Sequence, residues 1–513
     1  MNHSIHTTHG RRPRRAGFWQ RHRGWSLPWL LTIVLLMSLG GCGGEATPTR
    51  EPPAPTSPSS PLPTPLPKPT ASQPMIVTLK LWVPEELNPY GSGFGAALLA
   101  SHLDSFSDAY PDIQVDVVVK KAHGRGGLLD FLRTAQEAAP SVLPDLIVLD
   151  AAELGTAARS GLVQPLETLI PATTLADRFP FAVDMGAVDG ETMGFVLGID
   201  LQHGVYRPAQ IPSPPISWTQ PLSAPLSFLF PAAGRNRRVN DATLIQYLAS
   251  GGELVDSDGE PTLNPDVLTR VLDVYAASVR AGLPPIEPTA VPTQVATVEP
   301  PSGATATIEL TNSSPLSPTS TPTTSQSTQL GVCLTISPTL VLSISDTDQA
   351  WELFREGVGD LAVVSASRYW TAADDIPTPD GTRGVAPAPI PTQNGHPLSI
   401  ARRGWVIALV TEDPTRQSLA GLLFNWLIAP DQNGEWTRAA GYLPGTWGAL
   451  RTWDVSSADR TVLRQILDAT VTPPPDQVME QVGPAIQEAL KAVLRGWSTP
   501  QEAAAAAIES LQE

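Results

Sequence analysis

Cysteine is nearly missing. The 513 residues hold two, Cys42 and Cys333, so no disulfide framework can be built. Charge is scarce as well, at 16% of residues, and it leans acidic, with 50 acids against 33 bases. The six bases ahead of Cys42 are all arginines with no acid among them; without them the balance is 27 bases to 50 acids, net −23. Such a surface repels a phosphate backbone and argues against a nucleic-acid partner. Enzyme signatures are lacking too: there is no phosphate-cradling glycine loop with its lysine, no G-x-S-x-G and no H-E-x-x-H. Four of the eight histidines precede Cys42, and the others, His102, His123, His203 and His396, are scattered. Asp256-Ser257-Asp258-Gly259 lacks the rest of a calcium ladder and reads as a turn. Cys333 has no activating neighbour in sequence and reads as an inert thiol. No enzyme activity, cofactor or metal is expected.

Proline, by contrast, is abundant: 54 residues, about twice the usual share of roughly 5%. Much of it marks stretches that do not pack. Arg11, Arg12, Arg14, Arg15, Arg21 and Arg23 precede an apolar run, Leu27 to Leu39, too short for a span of roughly 20 residues. Positive flank, short apolar core and small residues make a secretory signal. It closes on Leu39-Gly40-Gly41-Cys42, which resembles the bacterial lipobox, with Cys42 as the lipid attachment residue. Residues 1–42 are therefore expected to be a lipoprotein signal. Residues 43–75 follow as a proline-rich tether; 11 of the 29 positions in 46–74 are proline. Such a spacer reaches at most roughly 90 Å.

Ordered structure is expected from Ile76. Ile76 to Trp82 alternates as a strand, Phe94 to Tyr110 has helical spacing, and Ile113 to Val119 is again a strand. Leu128 to Ala138 reads as a helix, and the wholly apolar Leu146-Ile147-Val148-Leu149 as a strand buried on both faces. That is βαβ alternation, hence an α/β fold. In residues 284–330, proline, threonine and serine fill 27 of 47 positions, too little apolar surface to offset ordering entropy; a disordered insertion is expected. The last helix is expected over Gln501 to Leu511, behind the start signal Ser498-Thr499-Pro500.

Three stretches together resemble extracellular solute-binding protein family 1, the sugar-type receptors of ABC importers. They are Phe106 to Val115 with its Tyr110-Pro111-Asp112-Ile113; Pro144-Asp145 through Asp150, followed by Gly161 to Leu166; and Ala420 to Pro430 with Trp436 and Gly441-Tyr442-Leu443-Pro444. Gly251 to Leu254, Asp258 to Leu263, Trp351 to Gly357 and Val493 to Ala503 also fit. The likeness covers nearly everything from Ile76 except the insertion. It implies a two-lobe, periplasmic-binding-protein-like (type II) α/β fold with a hinge crossed several times, near Gly198-Ile199-Asp200, Gly404-Trp405 and Trp453. Lobe 1 would comprise 76–198 and 406–455, and lobe 2 would comprise 199–405 and 456–513. The partners implied are a small-molecule solute, most simply a sugar, ABC permease subunits, and the membrane through the lipid. The chain would be a monomer held on the outer face of the cytoplasmic membrane.

A sugar presents hydroxyls on its rim and CH patches on its faces, so its site needs carboxylates or amides and flat rings. The resemblance points to Trp82, Glu85 and Glu86 at the end of the first strand, where a core tryptophan and a solvated edge are the alternative. It points to Asp150, which otherwise caps a helix, and to Asp200 in the crossing strand. Trp370 is the aromatic candidate or a structural tryptophan, and Trp405 follows Arg402-Arg403-Gly404, where an arginine suits an acidic sugar. Trp426 and Trp436 read as core. This chain departs from the family at His203-Gly204-Val205-Tyr206, and it lacks an aromatic at Leu149 and an acid near Ala152, features of malto-oligosaccharide binders. The same acids suit a polyamine, and a sensory or scaffold role is the third reading.

Overall fold

The computed structural model describes residues 76–234, 238–282, 331–376 and 383–512. All fall within one of two compact units, Ser72–Glu513. The signal, Cys42, the tether and the 284–330 insertion lie outside the described residues.

In chain order the main strands are β1 (Val77–Pro84), β2 (Ile113–Lys120), β3 (Leu146–Asp150), β4 (Phe195–Asp200), β5 (Gln202–Tyr206), β6 (Leu226–Leu229), β7 (Leu334–Thr335), β8 (Leu361–Ser365), β9 (Ala386–Ala388) and β10 (Arg403–Leu409). The helices used below are α1 (Phe94–Ala109), α2 (Leu128–Ala138), α3 (Ala151–Arg159), α4 (Asp241–Ala249), α5 (Pro265–Ala281), α6 (Thr347–Arg355), α7 (Ala366–Ala372), α8 (Pro414–Ile428), α9 (Pro430–Ala440), α10 (Asp476–Leu494) and α11 (Pro500–Gln512). Two five-stranded sheets organise them. The first runs β2-β1-β3-β10-β4 and the second β9-β5-β8-β6-β7. In the first, β1 is parallel to β2 and β3, whereas β10 is antiparallel to both neighbours. In the second, β6, β7 and β8 are mutually parallel, and β5 is antiparallel to β8 and β9.

Alternation explains why the first sheet is covered on both sides. Leu79, Leu81, Val83, Leu146, Val148, Ile407 and Leu409 face α1 and α8, packing with Phe106 and Phe424. Trp82, Ile147, Leu149, Val406 and Ala408 face the opposite way, toward Leu128, Leu132 and Leu154 on α2 and α3. A strand flanked by helices on both faces has no polar side, hence the unbroken apolar run of β3. In the second sheet Leu361 and Val363 enter a core with Trp218, Tyr275 and α10, while Ala362 and Val364 face Trp351 and Tyr369.

A buried ion pair ties the first sheet to α8. Asp145 is 2% exposed. Arg416 forks onto it, Nε to Oδ1 at 2.6 Å and Nη2 to Oδ2 at 2.6 Å, and the Lys80 N–H donates to Oδ2 at 2.8 Å. The Pro-Asp dipeptide ahead of β3 is thus a structural clasp.

At the first passage the sheets are joined by a single residue. β4 ends at Asp200 and β5 starts at Gln202, so the chain passes from one sheet to the other at Leu201. β10 lies wholly in the first sheet from Arg403, so the second passage lies between Ala388 and Arg403. The result is a two-lobe α/β fold. Among the described residues no helix is long and apolar enough to cross a membrane.

Candidate functional site

Topology dictates which edges of the two lobes meet. β1, β2, β3 and β4 all end on one edge of the first sheet, at Pro84, Lys120, Asp150 and Asp200, and the chain leaves for the second sheet from that edge. Gln202 pairs with Ser365, so the carboxyl end of β8, and with it those of β6 and β7, points back toward the first lobe. Strand ends therefore confront strand ends, where α/β proteins collect ligand-binding loops.

On the first-lobe edge, Glu85 and Glu86 form one exposed helical turn directly after β1. Trp82, two residues earlier, is 4% exposed and belongs to the core. Lys120 Nζ lies 4.7 Å from its ring centre and 3.8 Å from that of Phe131, and burial lowers the lysine pKa. Asp150 does cap a helix: its Oδ1 accepts from the Ala152 N–H at 2.9 Å, at the start of α3. Burial raises its pKa, while that N–H, His123 and Arg403 pull it down. His123, which the sequence did not single out, sits 3.6 Å from Asp150 Oδ2 and 3.4 Å from Glu153 Oε1, its ring stacked over Trp405 at 6.4 Å and 16°. Trp405, opposite Asp150 in register, is 1% exposed, and its Nε1 has no hydrogen-bond partner.

Asp200 bridges the lobes. Both its oxygens accept from Ser367 of α7, Oδ1 from the N–H at 3.0 Å and Oδ2 from the hydroxyl at 2.6 Å. Burial raises its pKa and these hydrogen bonds lower it. It thus caps a helix of the second lobe from a strand of the first. Trp370, one turn along α7, is 3% exposed. The guanidiniums of Arg383 and Arg438 lie 5.3 and 5.1 Å from its ring centre, and Trp453 meets it edge-on at 5.1 Å. Arg438 Nη1, from α9 beside α1, also donates to the Trp370 carbonyl at 2.9 Å. This tryptophan is packed into the lobe junction.

The second-lobe wall contains residues that the sequence did not flag. A cavity of about 1120 Å³ is lined by Gln202, Asn240, Asp241, Asp346, Arg402 and Asp476, among others. None of the seven sequence candidates lines it. Asp241, 4% exposed, is gripped by Arg402, whose Nε donates to both carboxylate oxygens at 3.0 and 3.2 Å. Asn240 caps α4 through its Oδ1, and its buried Nδ2 has no partner. Asp476 lines the cavity from the start of α10. Glu480 and Glu488 add to the acidic lining, against Arg238 and Arg402. Of the sequence candidates, then, Glu85, Glu86, Asp150 and Asp200 share the interlobe edge, whereas Trp82, Trp370 and Trp405 are packed inside. The available signal for His123 was its place just past the end of a strong strand, and for Arg402 its adjacency to β10.

No family model matches the chain, and no curated protein matches it in sequence. Solved structures do. The extracellular solute-binding protein family 1 from Alicyclobacillus acidocaldarius is 17% identical with a TM-score of 0.58 over 85% of this chain and 98% of that one. The sugar-binding protein MalE from Xanthomonas citri is 16% identical with a TM-score of 0.56 over the same shares. The cyclic alpha-maltosyl-1,6-maltose binding protein from Arthrobacter globiformis is 16% identical with a TM-score of 0.55, again over 85% and 98%. The chain has the two-lobe fold of these solute-binding proteins.

Proposed function

We propose that this chain is the extracellular, lipid-anchored solute receptor of an ABC importer and that it takes a carbohydrate between its lobes. The observation that carries the reading is the confrontation of two sets of strand ends across the Leu201 passage, with an open cavity of the second lobe reaching Gln202 beside that passage. A solute that touches both walls only when the lobes approach stabilises the closed state by that difference in contact. Glu85 and Glu86 are exposed acceptors for hydroxyls. Asp150 and Asp200 set the edge through their helix caps, and the three tryptophans support it from within. Cys42 carries the lipid and the proline-rich tether holds the lobes off the membrane, where permease subunits meet the loaded monomer. Solved proteins of this fold are named for maltose-type sugars, which favours a sugar for this chain too.

The acid excess on the second wall favours one other ligand class, a polyamine or similar cation. A thermal-shift screen with mono-, di- and oligosaccharides and with spermidine separates the two. A ligand at 100 times its Kd adds about 2.7 kcal/mol of stability. A shift with sugars supports the carbohydrate reading, a shift with spermidine alone replaces it, and no shift with either leaves the sensory or scaffold role. Mass spectrometry of membrane-extracted protein tests the anchor: a diacylglyceryl adduct on Cys42 is expected, and an unmodified thiol contradicts it.

A further inference from the structure

A site for a pyranose needs a flat, accessible ring; Trp497, 71% exposed, offers one on the second-lobe wall, but the three candidate tryptophans do not supply one on the first-lobe edge. Trp82, Trp370 and Trp405 are 4%, 3% and 1% exposed, each covered by neighbouring side chains. Freeing any of them would vacate a packed core. Two other rings on the same edge are open. Tyr90 is 72% exposed and Phe94 is 88% exposed, both in the segment that leads from Glu85 and Glu86 into α1. Both rings are open to solvent at that edge.

The backbone beneath them is fixed. Asn88 Oδ1 accepts from the Tyr90 N–H at 2.9 Å, and the Asn88 carbonyl accepts from the Gly91 N–H at 3.1 Å, which shapes the turn. Gly95 seats the start of α1 against α9; a Cβ there would lie 2.7 Å from the Ala440 Cβ. The helix thus begins in one place, with Phe94 on its outer side and Gly95 on its inner side. Two carboxylates for hydroxyls and two rings for CH faces then occur within ten residues of chain, at the strand-end edge that faces the second lobe.

We propose that Tyr90 and Phe94 are the stacking platform for a pyranose ring of the solute, with Glu85 and Glu86 accepting its hydroxyls. The assignment rests on the carbohydrate reading above and adds the residues that determine which sugars fit: those with an unsubstituted CH face to lay on a ring. A polyamine gains less from the pair, because neither ring is flanked by a second aromatic wall.

The test is isothermal titration of the full chain and its variants with glucose, maltose, maltotetraose and xylobiose. Tyr90→Ala and Phe94→Ala should each weaken the best binder about 5-fold to 10-fold, and the double variant more than either, by the usual worth of a ring contact. Tyr90→Phe keeps the ring and should bind as the parent does; Phe94→Leu keeps apolar bulk without a ring face and should not. Both positions are exposed, so the thermal midpoints of all variants should match the parent. If the parent binds a sugar and the alanine variants bind it equally well, the platform is wrong while the carbohydrate reading stands. If the parent binds none of the four sugars, the carbohydrate reading falls and the platform with it.

Discussion

Acidification should weaken this fold through one histidine. His203 lies in β5, two residues past the passage between the lobes, and is fully buried. Its ring meets Tyr369 edge-on at 5.1 Å, its Nδ1 lies 2.7 Å from the Gly204 carbonyl, and its Nε2 has no partner. That arrangement suits a neutral ring donating from Nδ1 and offers a second proton nothing to bind. Burial accordingly pushes its pKa down from 6.5 to about 4, with the Gly204 carbonyl opposing the shift. Between those limits the unfolded chain holds a proton that the native state refuses, so stability rises with pH across the window. The contribution is complete above pH 6.5 and is lost progressively as pH falls toward 4. At about 1.4 kcal/mol per unit the whole window is worth roughly 3 kcal/mol. About 2 kcal/mol of it should be gone by pH 5.

His203→Phe keeps the edge contact with Tyr369 and removes the titration. It should be less stable than the parent at pH 7.5, because the Gly204 carbonyl loses its donor at a cost of about 1 kcal/mol. The gap should then close, and reverse, as pH falls. Asp150, Asp200 and Asp459, whose pKa values burial raises, act in the opposite direction. They are common to both proteins and cancel in the difference. The assay is urea unfolding of parent and variant from pH 7.5 to 4.5. Two parallel stability profiles would refute the reasoning, since they would mean that His203 charges as readily in the fold as out of it.

Four further substitutions probe the frame. Asp145→Ala leaves the Lys80 N–H and the partly exposed Arg416 fork without their buried acceptor and should cost about 1–3 kcal/mol, read as a lower urea midpoint. Arg402→Met leaves Asp241 buried without its counter-charge and should cost about 3–5 kcal/mol; the double variant with Asp241→Leu should recover most of it. Arg438→Ala removes the grip on Trp370 from the first lobe. Hydrogen exchange should then quicken about tenfold in Ala366–Ala372 with the central strands unchanged, and exchange that is unaltered in α7 would contradict its place at the junction.

The frame was legible in the sequence because its signals are local. An apolar run of four residues between Pro144-Asp145 and Asp150 reads as a strand covered on both faces, and β3 is one. The expected helix Phe94 to Tyr110 is observed as Phe94–Ala109, and Asp256 forms the expected turn by accepting from the Asp258 and Glu260 N–H groups. The ligand edge was less legible because exposure is decided by distant neighbours. Nothing near Trp82 announces that Lys120 will lie over it, nor anything near Trp370 that Arg438 will arrive from the other lobe and Trp453 will meet it edge-on. Asp150 carried two readings at once, and its capping bond to Ala152 is the one the structure displays. The second wall draws on positions 202, 240, 346, 402 and 476, and no sequence window spans them.

Small-angle X-ray scattering of the full chain, with and without the sugar that shifts its melting point most, addresses the central claim. Hinged lobes that grip a solute between their strand ends must become more compact when it binds, and a smaller radius of gyration at saturating sugar is the expected result. A radius that stays the same while titration shows the sugar bound would mean that the lobes do not close on it.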